Sequence, residues 1–405
     1  MKLLPSLLML QIILRTVQAQ QTPATKSRRT EKDAKTIVEK VLKTSPVIDG
    51  HNDLFAWYYG CTYKKLPKCP QDIADYPLDK IQKGHTDIPR WRKGGVGGVQ
   101  LNVFADSLKD FLDAYDLLYR LEKTYNKDLK VVKSSSEMRK AIQDGKIAIL
   151  PMLEGSVRLE NKLSFLRTYY RLGLRCVTFT YKTSDLADGS EDKPVHNGIS
   201  ALGRTMVKEM NDLGIIIDMS HISSNAMSNI LDISNAPVIF SHSNARAICD
   251  VNRNVPDSIL FRLKTNGGII MIDMAPEHTS AKYVRWMNFG DSVYFTTKKN
   301  YPGDKQKLKE TMAQWDKENP LPVVSISDVA DHFDYVKKLI GIDYIGISGD
   351  YDGIQTTVKG LEDVSCYPNL LIELAQRGWT ESDLKKITSE NYLRVFEIIE
   401  GKAKK

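Results

Sequence analysis

The stretch Val47-Ile48-Asp49-Gly50-His51-Asn52-Asp53-Leu54 is the part of the chain on which the fold prediction depends. Its apolar start predicts a short buried strand, and that strand ends in a His-x-Asp pair. Because successive side chains of a strand alternate between its two faces, His51 and Asp53 point to the same side. An imidazole beside a carboxylate suits a divalent transition metal such as zinc. A single pair also fits a solvated turn, so the interpretation depends on matching ligands elsewhere in the chain.

Short apolar runs of this kind recur along the chain at intervals that leave room for helices. The eight strand-like runs cover residues 47–53, 96–104, 148–154, 176–181, 215–221, 238–242, 267–274 and 344–349. Segments with helical periodicity lie between most of them. This alternation predicts an α/β fold with a parallel sheet covered by helices, and the expected architecture is a closed (β/α)8 TIM-like barrel. A doubly wound open sheet is the alternative, although no Gly-x-Gly-x-x-Gly fingerprint follows the first strand.

A long insertion, residues 275–325, separates the seventh and eighth predicted strands and is rich in Lys, Tyr and Trp. A loop of this length on the catalytic face of a barrel is usually a lid or a binding element. A surface insertion without a role is the equally open alternative. We expect a single barrel domain over residues 37–400 that contains this insertion.

The N-terminus has the features of a secretory signal peptide. Lys2 supplies a positive start, residues 3–14 are mostly apolar but too short to span a bilayer, and Val17-Gln18-Ala19 fits the small-residue cleavage rule. We therefore expect a signal peptide over residues 1–19, a flexible lead-in over 20–36 and a secreted, extracellular protein. An uncleaved anchor is the alternative. No later stretch looks able to cross a membrane, and the C-terminus lacks the hydrophobic tail that a GPI anchor needs.

The cysteines partly agree with an extracellular location. Cys61 and Cys69 lie in a loop rich in Pro and Lys and would close a small disulfide outside the cell. Cys176 lies in an apolar strand-like run and is expected to be a buried free thiol. Cys249 and Cys366 have no evident partner in the sequence.

The net charge of +7, from 57 basic and 50 acidic residues, does not indicate nucleic-acid binding. Part of it comes from basic residues near the two ends of the chain. Because no basic stripe is interleaved with aromatic residues, no nucleic-acid partner is expected.

Side chains that bind metals stand at the ends of five of the predicted strands. In a barrel these ends share one face, and active sites form there. In chain order the residues are His51, Asp53, Glu154, His221, His242 and Asp350. Three of the seven histidines of the chain fall at such positions. Each residue alone could be a satisfied polar group at a strand end, but chance is a poor account of all six.

The number of ligands fits two divalent ions. One ion would be held by His51, Asp53 and a bridging Glu154, and the other by Glu154, His221 and His242. A water held between two such ions becomes hydroxide near neutral pH and attacks a carbonyl. Asp350 is placed to shuttle the proton of that water to the leaving amine. The constellation predicts a metal-dependent amide hydrolase.

The order of these residues resembles the renal or membrane dipeptidase family, a branch of the amidohydrolase barrels. Weak similarity covers roughly residues 40 to 400. The segments that carry the resemblance are VIDGHNDL at 47–54, LEG at 153–155, IDMSHIS at 217–223, APVIFSHS at 236–243, RNVPD at 253–257, GDYDG at 349–353 and GLEDVS at 360–365. Such a set of motifs is highly specific.

The resemblance implies a role for each matching residue. The residues that match the family's ligands for two zinc ions are His51, Asp53, Glu154 as the bridge, His221 and His242. Asp350 matches the acid/base residue that also meets the free amino group of the substrate. Arg253 matches the arginine that pairs with the terminal carboxylate, a task suited to its planar fork. The implied substrate is a dipeptide, and a homodimer is possible because the family forms dimers.

The sequence departs from the family around the substrate. Tyr181 stands where the family carries a histidine after the fourth strand, and its hydroxyl would donate to a developing oxyanion as a neutral group. Gln100-Leu101-Asn102-Val103 replaces an aromatic-rich segment of the second strand. A tyrosine expected beyond the seventh strand is displaced, with Pro276-Glu277-His278 nearby. We therefore expect a secreted zinc dipeptidase of changed specificity or reduced rate. The alternative is a weak or inactive barrel that retains metal and binds a peptide or protein through residues 275–325.

Overall fold

Nine parallel β-strands form one sheet in the computed structural model, which describes residues 28–60, 64, 66, 68–70, 72–103 and 107–404. They are β1 (Val47–Asn52), β2 (Val96–Asn102), β3 (Leu129–Val131), β4 (Ile147–Glu154), β5 (Cys176–Thr178), β6 (Ile216–Asp218), β7 (Ile239–Phe240), β8 (Ile269–Ile272) and β9 (Ile345–Ile347). Eight of these strands lie within the predicted runs or within one residue of them. The sequence did not predict β3, because three residues are too few to show a periodic pattern.

The sheet closes into a barrel. β1 pairs with both β2 and β9, and the other edge of β2 pairs with β4, which completes a ring of eight parallel strands. β3 lies outside this ring: it pairs with the first residues of β4, and β5 takes over the same edge from Met152 onward. The predicted (β/α)8 architecture is therefore confirmed, and the doubly wound open sheet is excluded.

Alternate residues of the strands belong to two separate apolar cores. Ile48, Leu150, Ile216, Ile239 and Ile269 pack together in the interior of the barrel, which residues Tyr392 to Ile399 of the last helix close from below. Their chain neighbours Val47, Ile149, Ile217, Phe240 and Ile270 pack outward against the surrounding helices. Both faces of the strands are thus covered, which explains why the runs are continuously apolar.

The helices surround the barrel and follow the strands in the chain. They are α1 (Glu31–Thr44), α2 (Ala56–Tyr59), α3 (Ile88–Lys93), α4 (Leu108–Thr124), α5 (Ser135–Gln143), α6 (Leu163–Leu172), α7 (Ala201–Leu213), α8 (Ser224–Ile233), α9 (Asp257–Asn266), α10 (Pro276–Thr279), α11 (Ala281–Asn300), α12 (Lys305–Glu318), α13 (Ile326–Ile340), α14 (Tyr367–Gln376), α15 (Glu381–Lys385) and α16 (Asn391–Lys402). Several begin at a Ser, Thr or Asp whose side chain accepts from a backbone N–H of the first turn. Ser107 before α4 and Ser223 before α8 are examples.

The insertion at 275–325 is helical. It comprises α10, α11 and α12, and the last two pack against each other through Trp286 and Trp315, whose ring centroids are 5.0 Å apart. Gly290 lies so close to Trp315 that a Cβ at this position would be 2.8 Å from the indole ring. The same hairpin leaves Phe289, Phe295 and Tyr301 exposed. A role as a lid stays a prediction.

The N-terminal part of the chain begins its regular structure earlier than predicted. α1 starts at Glu31, so residues 31–36 of the predicted flexible lead-in are helical. Thr30 caps this helix, and Ala34, Val38 and Val41 are buried on one face at helical spacing. Residues 1–27 lie outside the described part of the chain, and so does the predicted signal peptide. Across the described residues, no helix is both long and apolar enough to cross a membrane.

The cysteine predictions have different outcomes. Cys176 is a buried free thiol, as predicted, because it faces the interior of the barrel. Cys249 and Cys366 are free as well. Cys61 lies outside the described residues, so a disulfide between Cys61 and Cys69 stays a prediction.

Candidate metal centre

The C-terminal ends of the barrel strands bring together the six residues that the sequence singled out. His51 lies in β1 and Asp53 just after it, Glu154 is the last residue of β4, and the others follow β6, β7 and β9 within three residues. Two groups of donor atoms lie within 4.8 Å of one another. One group is His51, Glu154 and His242, and the other is His51, Asp53 and Asp350.

The carboxylate of Glu154 stands at the centre of the site, with each oxygen facing a different set of residues. Its Oε2 lies 3.7 Å from Nε2 of His51, which is also 3.1 Å from Oδ2 of Asp53. Its Oε1 lies 3.0 Å from Nε2 of His221 and 3.3 Å from Nε2 of His242. Atoms that bind one tetrahedral zinc at about 2.0–2.2 Å are roughly 3.4 Å apart, so the donor spacing fits such an ion on either side.

His51 lies in a strongly negative environment. Burial opposes its charge, but the carboxylates of Glu154, Asp53 and Asp350 outweigh burial and raise the pKa of His51 to about 10. Several carboxylates around one buried position attract positive charge. This half of the site therefore favours a cation on electrostatic grounds.

The other half of the site offers two neutral imidazoles. The pKa values of His221 and His242 lie well below the ordinary value, chiefly because of burial, and the nearby positive charges of Arg253 and His51 add to the effect. Their Nε2 atoms are 2.9 Å apart, and both face Glu154. Neutral imidazole nitrogens with free lone pairs are the form that binds a transition metal.

A buried relay fixes the tautomer of His242. Ser241 donates its hydroxyl to Asp218 at 2.6 Å, so the same oxygen accepts from Nδ1 of His242, also at 2.6 Å. The proton is then on Nδ1, and Nε2 keeps its lone pair towards Glu154. Asp218 also accepts from Thr178 of β5 at 2.5 Å. No role for Asp218 was predicted from the sequence, although its position at the end of a strand could have indicated one.

Asn102 connects ligands from two different strands. Its Nδ2 donates to Oδ1 of Asp53 at 2.8 Å and to Oε2 of Glu154 at 3.2 Å, and its Oδ1 accepts from the backbone N–H of Glu154 at 3.0 Å. In the sequence this segment of β2 is a departure from the family, and the role of Asn102 was not predicted. The sequence feature that could have indicated this role is a polar residue at the end of a buried strand.

The backbone is strained at two of the site residues. His221 has a φ of +70° and Asp350 has a φ of +50°. These values lie in the left-handed region, which residues other than glycine rarely adopt. Both residues lie just beyond a strand. The backbone changes direction at these residues and no longer continues the strand. Their side chains therefore point into the mouth of the barrel.

Asp350 is buried beside the carboxylates of the first half. Burial is the main cause that raises its pKa well above the ordinary value, and Asp273, Asp53 and Glu154 add to the effect. The neighbouring Gly353 has no side chain, and this leaves room for the carboxylates of Asp53 and Asp350. An added Cβ at Gly353 would lie 2.4 Å from Oδ2 of Asp53 and 2.6 Å from Oδ1 of Asp350. A carboxylate whose pKa lies above the ordinary value accepts a proton more readily and can pass it on, which suits acid/base chemistry.

Tyr181 lies at the edge of the site and is half exposed. Its ring is 4.5 Å from that of His221, and Gly155, next to Glu154, lies against its Cβ. Partial burial of the side chain, with the nearby carboxylate of Glu154, raises the pKa of Tyr181 to about 12. The hydroxyl is therefore a neutral hydrogen-bond donor.

Arg253 is fully buried next to the His221 and His242 half of the site. Its Nη1 donates to Oγ of Ser243 at 2.6 Å, and its Nη2 donates to the backbone oxygen of His242 at 2.7 Å. Among the described residues, its Nε has no hydrogen-bond partner. Each terminal nitrogen thus has one N–H bound inside the protein, and the N–H of Nε is left for a ligand.

The amino-acid sequence matches the family described as "Membrane dipeptidase (Peptidase family M19)" over residues 36–405. It is 34% identical over 375 residues to Dipeptidase tcpJ of Claviceps purpurea (strain 20.1), a match that covers 88% of this chain and 77% of the relative. It is also 34% identical over 375 residues to Dipeptidase 3 of Homo sapiens, with 89% of this chain and 67% of the relative covered.

Solved structures share the fold. The probable dipeptidase PvdM from Pseudomonas aeruginosa superposes with a TM-score of 0.78 at 24% identity, and the match covers 92% of this chain and all of the other. A metallo peptidase from Rhodobacter sphaeroides, liganded with a phosphinate mimic of the dipeptide L-Ala-D-Ala, has a TM-score of 0.71 at 20% identity, with 88% and 99% covered. The barrel, its donor residues and the sequence matches lead to one conclusion: the chain belongs to the membrane dipeptidase family of metallopeptidases, peptidase family M19.

Proposed function

We propose that this protein is a secreted dipeptidase that uses two zinc ions. The observation that carries the proposal is the position of Glu154, whose two oxygens face two separate sets of donors. A carboxylate in that position can bridge two ions. Membership of the dipeptidase family supplies the substrate class.

We infer that the residues would divide between the two ions in the way that the sequence predicts. His51, Asp53 and Oε2 of Glu154 would hold one, and Oε1 of Glu154, His221 and His242 would hold the other. Zinc supplies a Lewis acid and lowers the pKa of bound water to about 7. Neutral imidazoles on one side and a cluster of carboxylates on the other are the donor types that zinc prefers.

Three further residues would act on the substrate. The carboxyl of Asp350, whose pKa burial raises, would take a proton from the attacking water and give it to the nitrogen of the leaving amine. Arg253 would pair with the terminal carboxylate through Nε. The hydroxyl of Tyr181 would donate to the carbonyl oxygen as negative charge develops on it.

Steady-state kinetics of the purified, zinc-loaded protein on a panel of dipeptides tests the proposal. We expect turnover that is lost on chelation and restored by zinc. The matched variant Glu154→Gln keeps the shape of the bridge but removes its charge, and we expect it to lose both zinc and activity. Absence of turnover across the panel with two zinc ions bound would refute the enzymatic role.

A second candidate function is a barrel of little or no activity that retains metal and binds a peptide or protein. Two observations favour it: the family histidine is replaced by Tyr181, and the hairpin of α11 and α12 exposes Phe289, Phe295 and Tyr301. Tyr181→His separates the two functions. A gain of about a hundredfold in dipeptide turnover means that Tyr181 limits a competent site, since one such donor has that effect on rate. No gain, with zinc still bound, favours the binding role.

Secretion and the homodimer are parts of the proposal that the sequence and the family resemblance support. Expression of the full chain in a secretory host would release a protein that begins at Gln20 if the signal peptide is cleaved after Ala19. N-terminal sequencing of the medium tests this. Sedimentation velocity of the same material measures whether it forms dimers.

A further inference from the structure

The turn that follows β9 carries Asp350 and has an uncommon backbone conformation. In this Asp350 turn, residues 350–353, Asp350 has a φ of +50° and Asp352 has a φ of +66°. Both values lie in the left-handed region, where a residue other than glycine stays only if the surrounding structure holds it. The contacts that hold the turn therefore decide where the carboxyl of Asp350 lies.

Asp352 ties this turn to two distant segments of the chain. Its carboxylate is fully buried, and its Oδ1 accepts from Nε1 of Trp57 at 2.8 Å and from the backbone N–H of His85 at 2.7 Å. Trp57 lies in α2, which follows β1, and His85 precedes α3. Gly84 makes this meeting possible, because a Cβ added there would overlap both Nε1 of Trp57 and Oδ1 of Asp352.

His85 also binds the turn through its side chain. Its Nδ1 accepts from the backbone N–H of Asp352 at 3.0 Å. Because a backbone N–H only donates, Nδ1 keeps its lone pair and the neutral ring carries its proton on Nε2. Burial, the largest cause, lowers the pKa of His85, which agrees with a neutral ring. Two opposed hydrogen bonds thus join the two residues and fix both the position and the orientation of the turn.

The other side of the Asp350 turn lies against the metal centre. The backbone oxygen of Tyr351 accepts from the backbone N–H of Asp53 at 2.9 Å. A Cβ added at Gly353 would overlap the carboxylates of both Asp53 and Asp350, so the turn packs directly on these two acids. A small movement of the turn therefore changes the place of Asp350 relative to Asp53.

We propose that Trp57, His85 and Asp352 are positioning residues that hold the Asp350 turn, and with it the carboxyl of Asp350, against the metal centre. They act through Asp350 and not on the substrate. This role deepens the proposed function and rests on the acid/base role given there to Asp350. A misplacement of a reacting group by about 1 Å lowers the rate by about a hundredfold, so a loose turn is costly.

His85→Leu and His85→Asn form a matched pair that tests this role. The leucine variant removes the acceptor, whereas in the asparagine variant Oδ1 can accept from the backbone N–H of Asp352 in place of Nδ1. We expect His85→Leu to lower kcat on dipeptides by about 10- to 100-fold with KM within about threefold, and His85→Asn to recover most of that loss. Trp57→Phe removes one donor, keeps an aromatic ring and should lower kcat as well. It replaces His85→Leu in every measurement if that variant does not fold.

Calorimetric binding to the zinc-loaded protein gives a second readout that does not need turnover. The amino probe is a phosphinate dipeptide analogue with a free amino group, and the desamino probe lacks that group. The family resemblance implies that Asp350 meets this group, so we expect His85→Leu to lose about 10- to 100-fold in affinity for the amino probe alone, the effect of one charged hydrogen bond. The control Tyr58→Phe removes a buried hydrogen bond of α2, from Tyr58 to the backbone oxygen of Tyr76 at 2.6 Å, and should change neither affinity.

Zinc content and thermal unfolding confirm that each variant is loaded and folded. Equal losses for both probes, or equal kcat values for His85→Leu and His85→Asn, would mean that these residues only support the structure. If the wild type cleaves dipeptides and the variants match it in kcat and in affinity, this proposal fails while the enzymatic function stands. If the wild type cleaves no dipeptide but prefers the amino probe, the enzymatic function fails, and loss of that preference in His85→Leu still supports the positioning role. A wild type with neither turnover nor this preference would refute the role of Asp350 and this proposal with it.

Discussion

The replacement Asn102→Leu tests whether the metal centre depends on a residue that binds no metal. Leucine has a similar size but removes the two hydrogen bonds, at 2.8 and 3.2 Å, that orient Asp53 and Glu154, and it leaves the backbone N–H of Glu154 without its acceptor. Loss of a partner that orients a metal ligand typically lowers metal affinity by about 10- to 100-fold. That corresponds to about 1.4 to 2.8 kcal/mol of binding free energy. We expect a loss in this range in zinc competition titrations against a chelator.

Gln100→Leu is the matched control for this experiment. Gln100 is also a buried amide, two residues earlier in β2, but its Nε2 donates to the backbone oxygen of Gly50 at 2.7 Å. Within the described part of the chain, no hydrogen bond joins it to a ligand carboxylate. We expect this variant to lose unfolding free energy, measured in urea, and to keep zinc affinity within about threefold of the wild type. An Asn102→Leu protein whose zinc affinity matches that of the control would show that Asp53 and Glu154 orient themselves without Asn102.

Two further predictions concern catalysis and pH. Gly353→Ala should lower kcat/KM on dipeptides by about a hundredfold, because the new Cβ displaces the carboxylates of Asp53 and Asp350. The control Gly401→Ala adds a methyl group in open space and should leave kcat/KM unchanged. Equal kcat/KM values for the two variants would contradict this reasoning. Burial lowers the pKa of His332, and its Nδ1 accepts from the N–H of Ala245, so the folded protein keeps this ring neutral while the unfolded chain protonates it near pH 6.5. The unfolded state then binds more protons, so this contribution to stability is complete above about pH 6.5 and is lost as the pH falls, at up to about 1.4 kcal/mol per pH unit. Urea unfolding at pH 7.5 and 5.5 should show a smaller difference for His332→Gln, and an equal difference would refute the assignment.

The strands and the candidate ligands could be predicted because both leave local signals. A strand buried on two faces is a short apolar run, and eight such runs alternate with amphipathic segments. A metal ligand of this kind is a polar residue at the end of the run, as His51 and Glu154 are. The three-residue β3 was missed because its pairing with β4 is not visible in so short a segment.

The roles of the polar residues around the ligands depend on contacts between distant parts of the chain. Asn102 meets Asp53 and Glu154 across gaps of 49 and 52 residues, and no local pattern records which strands become neighbours in the barrel. The family resemblance pointed in the opposite direction at this position, since it marked Asn102 as a departure.

The sequence by itself determined which residues are buried in strands and which polar side chains stand at their ends, because periodicity and burial are properties of neighbouring residues. Only the tertiary structure decided how these ends face one another. It turned the two oxygens of Glu154 towards different donors, bound one N–H of each terminal nitrogen of Arg253 inside the protein and left the ring of Tyr181 half exposed. The physical reason is that closure of the barrel and the register of its strands set the distances between side chains that the chain itself keeps far apart.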